Sequence, residues 1–255
     1  MTARATLATA RRVLTQLRGD HRTVAMLLVV PLVLLTLLRF MFDATLQGNA
    51  GSGGASGVFD QVGAPLLAVF PFIVMFLVTS VAMLRERTSG TLERLLSMPI
   101  SKGDLVVGYA LAFGLVAVLQ TSLAAALALG PLGLDVRGSA AVVILAAVLD
   151  ALLGTALGLL LSAFARTEFQ AVQFLPAVVL PQLLLCGLFG PREVMARPLE
   201  LLSDALPMTY AVQGMQRVAA SAEVRTALLV DLGVVAGCTV LALALGAATL
   251  RRRSA

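Results

Sequence analysis

Long runs of apolar residues dominate this chain, and none of them alternates between apolar and polar positions. Each of six runs exceeds about 18 residues, the length at which an apolar segment indicates a membrane-crossing helix. A helix satisfies its own backbone hydrogen bonds in lipid, so helices are favoured over strands. We predict an all-α polytopic membrane protein with six transmembrane helices. They cover residues 24–42, 62–84, 105–129, 139–165, 171–189 and 227–250.

The N-terminal segment, residues 1–23, has a different pattern. Apolar residues recur at steps of three and four from Leu7 to Leu17, and arginines follow one flank from Arg4 to Arg18. This arrangement is typical of an amphipathic helix that lies in the headgroup layer of a membrane. We predict an interfacial helix here, and the alternative is a loosely ordered basic tail.

The connection between the second and third runs, residues 85–104, differs in character from every other connection. It is dense in charge and reads RERTSGTLERLLSMPISKGD. Gly90 can open a short helix with Glu93 in its first turn and leucines on one side, and Pro99 follows its end. Such a helix, parallel to the membrane face, would offer a contact surface to a soluble partner. The alternative is an amphipathic connector without a partner.

The distribution of charge supports a membrane protein and orients it. Hydrophobic residues make up 59% of the chain and charged residues 13%, too little polarity to cover a water-facing surface. Thirteen of the 19 Lys and Arg residues fall on the side that holds both termini. The positive-inside rule therefore predicts cytoplasmic termini. Residues 190–225, the longest connection, fall on the outer side. Because Arg greatly outnumbers Lys, GC-rich coding DNA and a bacterial cytoplasmic membrane are expected.

Several function classes are disfavoured by residues that the sequence lacks. With no Trp and two Tyr, it has no aromatic stacking pattern for nucleic acid. Cys186 and Cys238 lie in apolar runs and His21 has no partner, so we expect no metal site. The only lysine, Lys102, is not in a phosphate-binding GxxxxGK[ST] loop, so ATP would need another chain. A buried serine nucleophile would lack a histidine base, so we expect no enzyme.

Polar residues inside the runs are candidates for a transport path. Asp150 lies near the middle of the fourth run, where an unpaired charge would cost about 2.5–3.5 kcal/mol. It must face protein or water, or be protonated, and it serves either a structural partner or the transport path. With Gly154, Gly158 and Ser162 it forms a stripe at steps of four, which suits close helix contact.

Glutamines and a second glycine pair extend these candidates. Gln120 in the third run and Gln173 and Gln182 in the fifth can link helices or line a path. Gly233 and Gly237 in the sixth run suit packing within the chain or between two chains equally well. Nothing in the sequence chooses between these alternatives.

Prolines interrupt two of the runs. Pro65 and Pro71 lie in the second run, and Pro176 and Pro181 lie in the fifth. Proline removes a helical hydrogen bond and clashes with the preceding turn, so we predict kinks at these positions. Such kinks either shape a cavity or are simply packed around.

Two strings of residues resemble a known family. Glu86, GTLE at 90–93, LL at 95–96 and PI at 99–100 follow the second run. In this place they resemble the hallmark of ABC-2 type transporter permeases, such as the daunorubicin-resistance permeases. A second string, PMTYAV at 207–212, precedes the last run, as it does in that family. The similarity extends over the whole chain, 1–255, as one transmembrane domain.

The resemblance implies a membrane subunit that pairs with a second permease copy or a close relative and with two ATP-binding subunits. ATP and Mg would be held by those subunits, and this chain would bind no cofactor. In such transporters the segment after the second span is a coupling helix that docks into the ATPase, beside the N-terminal helix. Residues 199–218 would re-enter the membrane as short broken helices. The coupling surface would comprise Glu86, Gly90, Thr91, Leu92, Glu93 and Arg94.

The function that follows is that of a permease subunit of an ATP-driven exporter. Because the runs are apolar and hold few fixed charges, a hydrophobic cargo such as a drug, lipid or glycolipid is expected rather than a small ion. The alternative is a secondary transporter or channel in which Asp150 binds a proton or cation. That alternative leaves the helix after the second run unexplained.

Overall fold

The fold is helical throughout the residues that can be described. The computed structural model describes residues 3–46, 55–97 and 100–249, and within them every regular element is a helix. Six helices are long and apolar enough to cross a membrane. The predicted all-α polytopic class is therefore confirmed. Some of the positions named in the sequence analysis lie outside the described residues: Pro99, residues 1–2 of the N-terminal segment and position 250 of the sixth run.

Eleven α-helices form the described chain, and two other short helices accompany them. These are a π-helical turn, Leu175–Val179, and a 3₁₀ turn, Arg192–Val194. The α-helices are α1 (Ala3–Gly19), α2 (His21–Leu46), α3 (Ala55–Thr88), α4 (Thr91–Ser97), α5 (Lys102–Leu129), α6 (Ala140–Leu161), α7 (Glu168–Phe174), α8 (Leu180–Leu185), α9 (Arg197–Asp204), α10 (Pro207–Ala220) and α11 (Thr226–Thr249).

The predicted span boundaries are wrong by several residues where polar caps begin a helix. Span three begins at Lys102 rather than 105 because Ser101 and Asp104 form a reciprocal capping box, with oxygen–nitrogen distances of 3.0 and 3.3 Å. Span five begins at Glu168 rather than 171 because the Thr167 hydroxyl accepts a hydrogen bond from the backbone of Gln170. Hydropathy cannot detect such caps, since the capping residues are polar.

The prolines act differently in the two spans that contain them. The fifth span is composite, because its helix widens into a π turn at Leu175–Val179 and resumes as α8. Pro176 lies inside this turn and Pro181 follows it, and neither can donate a backbone hydrogen bond. Helix α3, by contrast, remains one helix of 34 residues through its two prolines.

Close contact between α3 and α6 forms the centre of the bundle. A Cβ atom on Gly154 would lie 2.4 Å from the carbonyl oxygen of Phe72, and one on Gly158 would lie 2.5 Å from that of Phe76. The Thr79 hydroxyl also approaches the α6 backbone, at 3.3 Å from the carbonyl oxygen of Thr155. Only glycine permits helix backbones to approach so closely.

The long connection before the last span folds into two short helices. Helices α9 and α10 are separated by a break at residues 205–206. Met208, Val212 and Met215 of α10 are buried against neighbours from α3, α6 and α11. Arg217 pairs with Asp231, which ties α10 to α11. The segment is therefore helical and broken, while its depth in a membrane stays a prediction.

Candidate coupling site

Helix α4 begins at a turn that only glycine adopts easily. Gly90 has a φ of +72°, in the left-handed region that favours glycine. Its carbonyl oxygen accepts the backbone hydrogen of Arg94 at 3.2 Å, which closes the first turn of α4. The chain thus leaves α3, turns at Gly90 and forms a seven-residue helix before it re-enters the bundle as α5.

The residues predicted to form the coupling surface do not all lie at the surface. Leu92 is only 6% exposed, and it packs with Met83 and Leu105 in one hydrophobic cluster. Glu93 and Arg94 are exposed, while Gly90 and Thr91 are half-buried. Leu92 therefore attaches α4 to the ends of α3 and α5, and its neighbours face outward.

Glu86 lies inside the protein rather than on the surface offered to a partner. It is 6% exposed, and its carboxylate accepts hydrogen bonds from Arg12 at 3.2 and 3.3 Å. The other terminal nitrogen of Arg12 donates to the hydroxyl of Tyr109. One guanidinium thus joins α1, α3 and α5, and charge-assisted bonds of this kind are the stronger ones.

Helix α1 docks along the first turns of α5. The Thr6 hydroxyl donates to the Asp104 carboxylate at 3.3 Å. A Cβ atom on Gly108 would lie 2.7 Å from the Cβ of Thr9, so the two helices are in close contact there. Leu7 is 62% exposed, whereas Ala10 is buried and Leu14 and Leu17 pack against the hydrophobic cluster that includes Leu105 of α5. The predicted apolar face of α1 therefore meets the bundle except at Leu7.

These contacts join four pieces of chain into what we call the coupling unit: α1, the last turn of α3, α4, and α5 from Lys102 to Tyr109. A force on α4 would reach α3 and α5 through Leu92 and the covalent chain. It would reach α1 through Arg12. The sequence analysis did not single out Arg12, Tyr109 or Asp104, because each acts through a partner at least 74 residues away.

The polar residues predicted for a transport path are in different environments. Asp150 is fully buried, and neither carboxylate oxygen has a hydrogen-bond partner among the described residues. The Gln120 side chain is also buried without a described partner. Gln182 donates to the carbonyl oxygen of Val178 at 3.1 Å. Gln173 is exposed on α7, so the structure does not bring the four residues to one cavity.

The two glycine pairs are separated in the same way. Gly154 and Gly158 meet α3, whereas nothing described lies within 4 Å of a Cβ atom on Gly233 or Gly237. The α11 pair therefore has no packing role inside the described chain. Within the same residues, no cluster of three or more His, Cys, Asp or Glu side chains could hold a metal ion.

Comparisons with known proteins agree with this architecture. The family model for the ABC-2 type transporter matches residues 4–219. The inner membrane transport permease YhhJ of Escherichia coli is 29% identical over 181 residues, which cover 71% of this chain and 46% of that protein. The probable multidrug ABC transporter permease YbhR of Escherichia coli is 30% identical over 145 residues, covering 57% and 39%.

A eukaryotic relative shows the same likeness. ABC transporter G family member 20 of Dictyostelium discoideum is 26% identical over 172 residues, which cover 68% of this chain and 23% of that protein. The chain thus spans less than half the length of these curated relatives. Because the family model matches most of the chain, from α1 to α10, the chain belongs to the ABC-2 type transporter family.

Proposed function

We propose that this permease subunit belongs to an ATP-driven exporter that moves a lipophilic or amphipathic cargo across a bacterial cytoplasmic membrane. The observation that carries the proposal is the coupling unit, in which α4 packs on α3 and α5 through Leu92, and α3 is bonded to α1 through Glu86 and Arg12. A connector without a partner would not need such attachment. Two ATP-binding subunits would dock on this surface, and they would hold ATP and Mg.

The docking surface consists of the outward residues of α4. The ATP-binding subunit would contact the residues that are exposed or half-buried, which are Gly90, Thr91, Glu93 and Arg94. Leu92 and Glu86 would transmit the movement, because they are buried and bonded within the chain. When the ATP-binding subunits close, the whole coupling unit would move with α4 and change the packing of the spans.

The proposed cargo follows from the apolar interior of the spans. All six spans are strongly apolar, and few of their residues carry a charge. A small ion would need compensating charges along its path, whereas a lipophilic drug, lipid or glycolipid would not. The printed name of YbhR, a probable multidrug permease, supports this class of cargo. A second permease copy, or a related chain, would complete the path.

The proposal is tested at α4 in the complex purified from its native membrane. A stoichiometric partner that hydrolyses ATP in a vanadate-sensitive manner is expected to remain bound. Glu93→Arg should lower cargo-stimulated ATP hydrolysis at least about fivefold, the low end of coupling between two sites. Glu223→Arg, the same change at a residue whose side chain is 77% exposed, is the control. Equal activity of both variants would contradict the docking surface.

One observation favours a second function. The buried carboxylate of Asp150 has no described hydrogen-bond partner, and in a secondary transporter it would bind a proton or cation. That function predicts ion or proton movement in liposomes that contain this chain alone, with loss of movement in Asp150→Asn. Movement that requires the ATP-binding partner would instead support the exporter.

A further inference from the structure

A cavity of about 500 Å³ lies between α1, α2, α3 and α5, next to the coupling unit. Its volume falls within the range of about 300–1,000 Å³ that is usual for ligand sites. Its walls are apolar side chains from three of the spans, including Val30, Leu77, Val81 and Phe113. None of the residues predicted for the transport path lines it. The cavity is therefore distinct from the positions of those residues.

The length of the cavity equals the thickness of one membrane leaflet. Ile73 and Glu86 both line it, and their separation along α3 corresponds to about 20 Å at 1.5 Å per residue. Half of a bilayer, with its headgroups, measures about 20–22 Å. With its Glu86 end at the headgroups, the cavity would reach the middle of the membrane at Ile73.

Polar side chains gather at the headgroup end alone. Asp20, Thr23 and Arg85 line the cavity there. The carboxylate of Asp20 accepts hydrogen bonds from the Thr23 hydroxyl at 2.6 Å and the Thr23 backbone at 3.1 Å. These bonds hold the pKa of Asp20 below its ordinary value, so the group is negative at neutral pH. A carboxylate has about four acceptor positions, so further donors can bind it.

Arg85 offers donors at the same end. Its Nε and one terminal nitrogen bond the carboxylate of Glu168 at 2.7 and 3.1 Å. Because a guanidinium carries five N–H groups, donors remain for an anion. Arg85 and Asp20 line the same end of the cavity, and the positive charge of Arg85 helps to lower the pKa of Asp20. The headgroup end of the cavity thus presents a hydrogen-bond acceptor for an ammonium group and hydrogen-bond donors for a phosphate.

We propose that this cavity holds one phospholipid of the adjacent leaflet whose headgroup carries both a phosphate and a primary ammonium, as phosphatidylethanolamine does. The phosphate lies at Arg85, the ammonium at Asp20, and an acyl chain follows the apolar wall toward Ile73. The site goes beyond the proposed export function and does not depend on it, because it needs neither ATP nor cargo.

The experiment uses the absence of tryptophan from the sequence. Met26→Trp places one fluorophore at the rim of the cavity, where Met26 is 66% exposed. Val240→Trp places one on α11, at a residue that is also 66% exposed. Each full-length variant is reconstituted in phosphatidylcholine nanodiscs with an equal, low fraction of brominated phosphatidylethanolamine, phosphatidylcholine or phosphatidylglycerol, and quenching of fluorescence is measured.

Brominated phosphatidylethanolamine should quench the Met26→Trp protein about threefold more than the other two lipids, the scale of one exposed ion pair. The Val240→Trp protein should be quenched equally by all three. Asp20→Asn should remove the preference at Met26→Trp, and asparagine remains as good a helix cap as aspartate, so α2 keeps its first turn. Val78→Phe, which fills the cavity, should remove the preference as well.

Other outcomes overturn the site. Equal quenching by the three lipids at Met26→Trp would show that no headgroup is selected. A preference that survives both Asp20→Asn and Val78→Phe would place the selecting group elsewhere. Quenching at Met26→Trp that stays below that at Val240→Trp for all three lipids would show that another molecule, such as the cargo, occupies the cavity. Because the readout is fluorescence, failure here is distinct from failure of ATP coupling.

Discussion

Two pairs of glycines, each with a spacing of four residues, show that the role of a residue depends on its neighbours in the fold. The pair on α6 touches the backbone of α3, whereas the pair on α11 touches nothing described. The sequence predicted a small-residue stripe in each helix, because spacing of four residues is visible in sequence. It could not tell which stripe has a partner, because that depends on which face each helix turns toward the bundle.

Substitution of one glycine from each pair tests this difference. Gly158→Ala should destabilise the protein by about 1–3 kcal/mol, because the added methyl group would overlap the carbonyl oxygen of Phe76. Gly237→Ala should change stability by less than about 1 kcal/mol, with the better helix propensity of alanine in its favour. Thermal unfolding in detergent measures both. Equal shifts in the midpoint would contradict the close crossing of α3 and α6.

Adjacent arginines of α1 offer a second matched pair. Arg12 bonds Glu86 and Tyr109, whereas the Arg11 side chain is exposed. Arg12→Ala should weaken the docking of α1 by about 1–3 kcal/mol, because Glu86 would keep a buried charge without its partner. Hydrogen exchange in α1 should become faster in Arg12→Ala and stay unchanged in Arg11→Ala. Equal exchange would show that α1 is held by its other contacts.

At the scale of elements, the existence of each span could be predicted and its ends could not. Apolar length locates a helix, but the first residue of α5 depends on the polar cap at Ser101. The faces of α1 could be predicted only in part. Ala10 of the predicted apolar face is buried, and Leu14 and Leu17 pack against the core, but Leu7 is exposed. Thr6 and Thr9 are buried because the packing partner is the glycine-containing start of α5, and hydropathy does not assign threonine to a buried face.

The cap at the start of α5 gives a prediction for one element. Ser101→Ala should destabilise the first turn by about 0.5–2 kcal/mol, because the Asp104 backbone loses its acceptor. Ser101→Gly should destabilise it by only a few tenths of a kcal/mol. Hydrogen exchange at residues 102–106 measures the difference. If both variants exchange at the rate of the unmodified protein, the capping box does not fix the start of α5.

At the scale of the whole molecule, the fold class and the six spans were predictable because a membrane leaves helices as almost the only choice. The coupling unit was predictable only in part. The sequence located α4 by its charge and its resemblance to the family. It did not reveal that Glu86 and Leu92 turn inward, because their partners are brought close only by the folded bundle.

The orientation of the molecule in the membrane stays a prediction, and two cysteine variants test it. Ser97 is the last residue of α4, at the predicted cytoplasmic end, and Glu223 lies in the connection between α10 and α11, at the predicted outer end. In a background with Cys186 and Cys238 replaced by alanine, a membrane-impermeant maleimide should label Glu223→Cys in intact cells and leave Ser97→Cys unlabelled. Labelling should reverse in inverted membrane vesicles. The opposite pattern would place the coupling unit outside the cell.

The hydrogen bond between Arg12 and Tyr109 also limits when α1 can dock during synthesis of the chain. These residues are 97 positions apart, and at about 5–20 residues per second a ribosome needs about 5–20 s to make that length. During this interval α1 has left the ribosome, yet the third span that it docks on does not exist. The N-terminal helix therefore stays undocked for this time, and its arginines and the exposed Leu7 suit a temporary position at the membrane surface.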